Sequence, residues 1–426
     1  MKPQNHNYND FPLKIFISPP YKRCPFCGVK SFGICGINSD SYWRRCYRCG
    51  KNGNVIKLPG LKKKIIYLDQ MAISNMMNSI RLATDKKIKS KIIPEWKIMF
   101  EKLDRLVKLQ LIICPHSLIH EDESIVTPVF KDLRQMYEHL ANGSAFYDIE
   151  TIIRYQLYVA FMKWLKKDFE EIQVYDIVQG DLDGWQDRIR ISINSNRSIA
   201  DYVEELEKIR NVTSSNLVAV FNRWKTEKTK NFMNWFDEER SAYGPTYWRI
   251  YLRSVLANDS ASAVNFVLSE RSVLIFQLED ILRRSGIATE EEIILKLTDF
   301  FRSDNVKEIP YLTIYSMLSA VIANQSAHGG RTKPPNQGTS NDLSFISAFV
   351  PYCDALFIDN AFRENIKQGD KFLKLGISNK FYSVNNIKAF FKYLDGIEVN
   401  ASKAHMDKVK EVYGNNWGQP YLSMYN

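Results

Sequence analysis

Two pairs of cysteines carry the most specific chemical signal in this sequence. Cys24 and Cys27 form one CxxC pair, Cys46 and Cys49 form the other, and eighteen residues lie between the pairs. Two such pairs supply four thiolates for one tetrahedral zinc ion. Because four protein ligands leave no coordination position for water, we expect the zinc to be structural. Cys35 lies between the pairs, and we do not expect it to be a ligand.

Four acidic residues form a second set that could do chemistry. Asp69 directly follows the apolar run KIIYL, and Asp359 directly follows ALFI. Glu123 lies one turn into the helix expected after the run LIIC, and Asp342 is expected at or beside the start of a late helix. Carboxylates gathered in one place repel one another unless a hard cation such as Mg²⁺ or Mn²⁺ neutralises them. For Asp69 the alternative is a cap on the helix that begins near Met71.

The elements that would position these acids are short apolar runs without alternation. Such runs predict strands buried on both faces of a parallel sheet, and hence an α/β fold. Ligands of open α/β sheets bind where the strands end, so the acids are expected to converge there. The predicted strands are residues 64–68, 111–114, 355–358 and 381–384.

A long segment between the second and third strands has a mostly helical pattern. Helices are predicted near residues 149–170, 200–236, 247–284, 289–303 and 309–326, and the Gly/Pro-rich stretch 328–340 is predicted to be a flexible loop. These patterns divide the chain into a zinc ribbon with a basic linker (1–60), the first part of the α/β domain (61–144), a helical insertion (145–327), the second part of the α/β domain (328–400) and a C-terminal tail (401–426).

The positive charge is concentrated at the N-terminus. Of the formal net charge of +10, residues 1–64 contribute +11, from thirteen Lys or Arg and two acids. This asymmetry favours contact with nucleic acid, although a solubilising basic arm is the alternative. Basic and aromatic side chains that could contact phosphates and bases, or in the aromatic case pack the ribbon, flank the second cysteine pair: Tyr42, Trp43, Arg44, Arg45, Tyr47 and Arg48.

Three stretches, YLDQMAIS, SLIHEDES and NDLSFISAFVPYCDALFIDN, together resemble the ordered motifs of PIN-like nucleases. The resemblance implies a PIN-like sheet and a metal-dependent endoribonuclease whose catalytic acids are Asp69, Glu123, Asp342 and Asp359. It implies Mg²⁺ or Mn²⁺ as cofactor, RNA as substrate with tRNA included, and a bacterial toxin or antiviral defence effector as the biological role. The insertion of 183 residues (145–327) departs from the compact family pattern.

Within the second stretch, Ser117, His120 and Glu123 reproduce the spacing Ser-x-x-His-x-x-Glu of the family and share one helical face. We expect His120 to form local hydrogen bonds rather than to bind the cation, because lone histidines commonly do so. Glu121 is the substitute if Glu123 points away from the other acids.

A non-catalytic protein is the competing interpretation. It would bind or sense nucleic acid through the zinc ribbon and use the helical segment for oligomerisation. In either case a regulatory protein partner or a homo-oligomer is possible. No apolar run approaches the ~18 residues of a membrane span, and the polar N-terminus lacks a signal-peptide core, so a cytoplasmic protein is expected.

Overall fold

The computed structural model describes residues 17–81, 93–187, 216–256, 269–335 and 337–419. The first residues of the predicted helix 200–236, the middle of the predicted helix 247–284 and the last residues of the predicted tail lie outside these ranges. Within them, no helix combines the length and the apolar character that crossing a membrane requires.

The N-terminal module is an antiparallel sheet, as predicted for a ribbon. Its strands pair in the order β1-β2-β3-β4. Tyr42 is fully buried, and Trp43 packs over Gly36 on the neighbouring strand, where a side chain would come within 2.4 Å of the indole. The two aromatic residues therefore pack the ribbon. Its strands are β1 (Ser18–Arg23), β2 (Lys30–Asn38), β3 (Ser41–Cys46) and β4 (Ile56–Lys57).

A parallel sheet with the strand order β10-β9-β5-β6 confirms the predicted α/β class. Each predicted strand is present, although some are shorter than expected. A separate antiparallel pair joins β7 and β8. The strands are β5 (Lys64–Leu68), β6 (Ile112–Ile113), β7 (Ala145–Phe146), β8 (Val178–Gln179), β9 (Ala355–Phe357) and β10 (Phe381–Tyr382).

Helices surround the parallel sheet and make up most of the insertion. In chain order they are α1 (Gln70–Ile80), α2 (Pro94–Lys108), α3 (Leu118–Ile125), α4 (Phe130–Ala141), α5 (Ile149–Trp164), α6 (216–226), α7 (Phe232–Leu256), α8 (Glu270–Arg284), α9 (Glu290–Arg302), α10 (Asp304–Lys307), α11 (Pro310–Ala327), α12 (Gln337–Phe349), α13 (Asn360–Leu373), α14 (Ile387–Val399) and α15 (Lys403–Tyr413). Short 3₁₀ turns lie at Val174–Asp176, Ser378–Lys380 and Val384–Asn386.

Three helix boundaries differ from the prediction. The predicted helix 200–236 is interrupted at residues 227–231, between α6 and α7. Helix α7 starts well before the predicted residue 247 and runs through Pro245. Gly244 lies against α9, where a Cβ would lie 2.0 Å from the Phe301 carbonyl oxygen. Helix α12 begins inside the predicted loop 328–340, so Asp342 lies within this helix rather than at its start.

Both faces of β5 are buried, as its unalternated apolar run predicts. Ile65 and Tyr67 belong to a hydrophobic cluster that includes much of the insertion, whereas Ile66 and Leu68 belong to a second cluster with helices α1, α2, α4 and α14. Alternate residues of a strand point to opposite faces, so β5 is the layer between two cores. The insertion therefore packs as a layer on the sheet and shares its core.

The strand order creates a switch point beside β5. From β5 the chain passes to β6 on one side, and after the insertion it returns to β9 on the other side. In open α/β sheets the connections diverge at such a point, which leaves a crevice at the carboxyl ends of the strands.

The ribbon is attached at the opposite end of the parallel strands. It shares a small core with Leu61, which precedes β5, with Leu109, which precedes β6, and with Val412 of helix α15. The indole of Trp185 donates a hydrogen bond to the Pro59 carbonyl at 2.7 Å. The segment predicted as a tail thus contains a helix that holds the ribbon in place.

Candidate functional site

The four predicted zinc ligands lie together. Among the described residues, Cys24, Cys27, Cys46 and Cys49 form a group whose sulfurs all lie within 4.8 Å of one another. The Sγ atoms of Cys24 and Cys49 are 3.7 Å apart, as are those of Cys27 and Cys46. A tetrahedron with Zn–S bonds of about 2.3 Å has sulfurs about 3.8 Å apart, so these cysteines could hold one zinc ion.

The two halves of the cysteine group have matching backbones. Gly28 and Gly50, one after each pair, have positive φ angles of 73° and 72°. Their amides donate to the carbonyls of Cys24 and Cys46, both at 2.9 Å. These turns direct further amides at the sulfurs: Phe26 N lies 3.4 Å from Cys24 Sγ, and Cys49 N lies 3.4 Å from Cys46 Sγ. Such donors stabilise thiolates.

The four predicted acids line one cleft of about 410 Å³, which we call the acidic cleft. Asp69 follows β5, Asp359 follows β9 after one residue, Glu123 lies on α3 and Asp342 on α12. The cleft therefore lies at the carboxyl end of the strands, at the switch point beside β5. Its other lining residues include Gln70, Met71, Ser74, Thr127 and Gly338.

Asp69 and Asp359 occupy equivalent positions but use their carboxylates differently. Both stand at the N-cap position of the following helix. Asp359 Oδ1 accepts hydrogen bonds from the amides of Ala361 at 2.7 Å and Phe362 at 3.0 Å, whereas the Asp69 side chain makes no capping hydrogen bond. Asp359 therefore caps its helix through its side chain, and these bonds fix one oxygen and orient the carboxylate. At Asp69 the amides of Gln70 and Met71 act on the carboxyl group only weakly, as a minor effect that lowers its pKa.

His120 joins the helix that carries Glu123 to the strand that precedes Asp69. Its Nδ1 accepts a hydrogen bond from the Ser117 amide at 3.1 Å, so the ring donates through Nε2 to the Leu68 carbonyl oxygen at 2.8 Å. Burial lowers the pKa of His120 to about 4, which keeps the ring neutral. His120 is therefore a positioning residue, as the sequence predicted.

The structure distinguishes the two candidate glutamates on α3, and its choice agrees with the spacing Ser-x-x-His-x-x-Glu. Glu123 lines the acidic cleft, and Glu121 does not. Glu121 instead lies 3.5 Å from His116 Nε2, and this hydrogen bond lowers the pKa of Glu121. A second contact fixes the same region, because Gln70 Nε2 donates to Ser124 Oγ at 2.7 Å.

Burial and, after it, mutual repulsion raise the pKa of two acids of the cleft. Burial and then the charges of Glu123 and Asp359 raise the pKa of Asp69 to about 7. Burial and then the charges of Asp69, Asp359 and Glu123 raise the pKa of Asp342 to about 8. Asp69, Asp342 and Asp359 form no ion pair with a described lysine or arginine. These three carboxyl groups therefore have no lysine or arginine partner among the described side chains.

The carboxylates share the cleft without closing a ligand shell. In the described ranges, the cysteine sulfurs alone meet the distance of 4.8 Å for a group of three or more ligand atoms. An open arrangement suits Mg²⁺, which keeps several waters and binds through one or two carboxylates. The side-chain oxygen of Gln70, which also lines the cleft, is buried without a hydrogen-bond partner in the described part of the chain, and a water could donate to it. The acidic cleft therefore differs from the cysteine group, whose ligand atoms already lie close together.

The prediction that Arg44 contacts nucleic acid is wrong. Arg44 is only 2% exposed. Its guanidinium donates to the carbonyls of Pro20 at 2.6 Å and Phe32 at 3.3 Å, and to that of Glu411 on α15 at 2.9 Å. Arg44 therefore fixes the ribbon to helix α15. Arg45 is half-buried and donates to the Gly50 carbonyl at 2.9 Å, while Arg48 is exposed.

Sequence reasoning missed Phe26. It lies inside the first cysteine pair, and 52% of its surface is exposed. Tyr47 inside the second pair is 45% exposed. The presence of an aromatic residue inside each CxxC pair was the signal available in the sequence.

Comparison with known proteins gives no information about the function of this chain. None of the protein-family models, curated proteins or solved structures that were searched matches this chain.

Proposed function

We propose that this protein is a metal-dependent nuclease, and specifically an endoribonuclease that hydrolyses RNA phosphodiesters. One observation carries the proposal: acids from three distant stretches of sequence line one cleft at the switch point of a parallel sheet. The raised pKa values of Asp69 and Asp342 support it, because functional sites concentrate such shifts.

The four acids share one role in this proposal. Asp69, Glu123, Asp342 and Asp359 would hold one or two Mg²⁺ or Mn²⁺ ions. A bound ion would activate a water and stabilise the oxygens of an in-line displacement at phosphorus, which leaves a 5′-phosphate. The positive charge of a bound cation lowers the pKa of neighbouring carboxyl groups. Asp69 and Asp342 would therefore be ionised at neutral pH when the cation is bound.

The preference for RNA rests on the ordered resemblance to PIN-like nucleases. That resemblance also makes tRNA a first substrate to test and a toxin or defence effector the biological role to examine. The helical insertion would shape access to the cleft or bind a regulatory partner. It packs on the sheet face to which Tyr67 belongs, and helix α12, which carries Asp342, follows it directly.

A cleavage assay tests the proposal. Purified protein is incubated with total tRNA, mRNA or single-stranded DNA, with Mg²⁺ or Mn²⁺ added. We expect the wild-type protein to cleave RNA and to leave 5′-phosphates. Asp69→Asn and Asp342→Asn should each reduce the rate of cleavage at least a hundredfold, because each removes a ligand of the catalytic ion. The matched control is Glu121→Gln, on the same helix as Glu123 but outside the cleft, which should retain activity.

Two results would overturn the proposal. One is tight RNA binding without cleavage under every metal tested, which would favour the non-catalytic interpretation. The other is cleavage that persists in both asparagine variants, which would place the activity elsewhere or in a contaminant.

A further inference from the structure

The two cysteine turns carry large side chains that are exposed to solvent rather than packed in the ribbon core. Phe26 and Tyr47 project from adjacent turns around the four sulfurs, and Val29, which is 46% exposed, lies beside the first turn. Large apolar side chains grouped on a surface mark interaction sites more often than single exposed ones. By contrast Tyr42, on the strand that enters the second turn, is fully buried.

Exposed basic residues flank both cysteine turns in the sequence. Arg23, Lys30, Arg48 and Lys51 are exposed, and none forms an ion pair with a described acid. Lys51 Nζ lies 5.3 Å from the centroid of the Phe26 ring. We call these four bases, with Phe26 and Tyr47, the knuckle face.

Two other lysines of the ribbon form ion pairs with acids. Lys22 pairs with Glu411 at 3.3 Å, and Lys57 pairs with Asp40 at 2.5 Å. Asp40 lies in the turn between β2 and β3, at the far end of that hairpin from the cysteine turns. The knuckle face therefore has a positive charge that no acid in the described part of the ribbon offsets.

We propose that the knuckle face binds an unpaired stretch of nucleic acid, with bases stacked on Phe26 and Tyr47 and phosphates held by Arg48 and Lys51. A projecting ring can stack on a base only where that base has an open face, and duplex bases cover one another. The basic side chains contact the backbone whatever the sequence. This inference extends the proposed function by assigning recognition to single strands, but the binding itself does not depend on cleavage.

Binding is measured with the full-length Asp69→Asn protein, without added divalent cation and without chelator, so that cleavage plays no part. The probe is a dye-labelled oligouridine of about 12 nucleotides, within the range of single-strand sites, and a duplex RNA of equal length is the comparison. We expect the single strand to bind more tightly. Stacking of one base contributes roughly 1–3 kcal/mol, so Phe26→Ala with Tyr47→Ala should weaken binding about 30-fold or more.

Two further variants separate the contributions. Arg48→Gln with Lys51→Gln should reduce the slope of log affinity against log salt concentration by about 1.4, since each phosphate contact of a single strand contributes about 0.7 to this slope. Phe276→Ala is the matched control, because Phe276 is 46% exposed on the insertion and should leave affinity unchanged. Zinc content, measured for each variant, confirms that the ribbon is intact.

The inference fails if the Phe26/Tyr47 variant retains its zinc and binds the oligouridine as tightly as the parent. It also fails if duplex RNA binds as well as the single strand, or if polyglutamate displaces the RNA at equal charge, which would indicate an acidic protein partner. Loss of cleavage in the nuclease assay would leave this binding result unaffected, so the two proposals can fail separately.

Discussion

Replacing Asp342 by Asn should stabilise the protein when no divalent cation is added. The wild-type carboxyl group has a pKa raised from 3.8 to about 8 in the folded protein, because it is partly buried and lies beside other acids. The unfolded chain releases this proton near pH 3.8, whereas the folded chain retains it. The contribution of Asp342 to stability is therefore greatest below pH 3.8 and is lost as the pH rises to about 8.

The magnitude follows from the size of the change in pKa. A change from 3.8 to about 8 corresponds to about 6 kcal/mol at about 1.4 kcal/mol per tenfold change in proton affinity. This value is an upper bound, since Asp69 shares the same repulsion and the half-buried carboxylate is screened by solvent. For Asp342→Asn we expect a gain of roughly 1–3 kcal/mol at pH 8 and a smaller gain at pH 5.5.

Thermal unfolding at the two pH values, with and without Mg²⁺, measures the effect. At pH 8, Mg²⁺ should raise the Tm of the wild type and leave that of Asp342→Asn unchanged, because binding requires the ionised carboxylate. Glu121→Gln is the control: its hydrogen bond to His116 lowers the pKa of Glu121, so removing this charge should not stabilise the protein. If Asp342→Asn lowers the Tm at pH 8, or if Mg²⁺ stabilises it as much as the wild type, the electrostatic reasoning is refuted.

The remaining predictions concern the ribbon. Cys46→Ser should reduce bound zinc from one ion per chain towards none in elemental analysis and expose the ribbon to proteolysis, whereas full zinc occupancy would contradict the four-cysteine site. Arg44→Met should destabilise the protein by about 2–4 kcal/mol in urea unfolding, because the carbonyls of Pro20, Phe32 and Glu411 lose their donor. The exposed counterpart Arg48→Met should change stability by less than about 0.5 kcal/mol, and equal losses for the two variants would show that Arg44 has no special role.

The parallel sheet could be predicted because its strands are short apolar runs with an acid close behind. Such runs must be buried on both faces, and parallel strands place their ends together, so the shared cleft followed from Asp69 and Asp359. The cluster of four cysteines was predictable because the spacing within each pair is local. In both cases the signal depends on residues near one another in sequence or on a general property of sheets.

The role of Arg44 could not be predicted, because it depends on chain segments that are far apart. A buried guanidinium needs acceptors, and here they come from Pro20, Phe32 and Glu411. Adjacency to a zinc ligand gives no information about them. The start of α12 was misplaced for a related reason: Gly338 favours a loop locally, yet it lies in a helix whose later residues are buried in the shared core.

The attachment of the ribbon has a consequence for the length of any bound strand. Its core contacts lie before β5 and β6, whereas the acidic cleft lies beyond the ends of β5 and β9. With a rise of about 3.3 Å per residue, the five residues of β5 alone span about 17 Å. If both proposals hold, a strand that occupies the knuckle face and the acidic cleft together must span the distance between them, so oligonucleotides below a threshold length could occupy only one of the two. RNA would then be cleaved at a fixed distance from the nucleotides that the knuckle face binds.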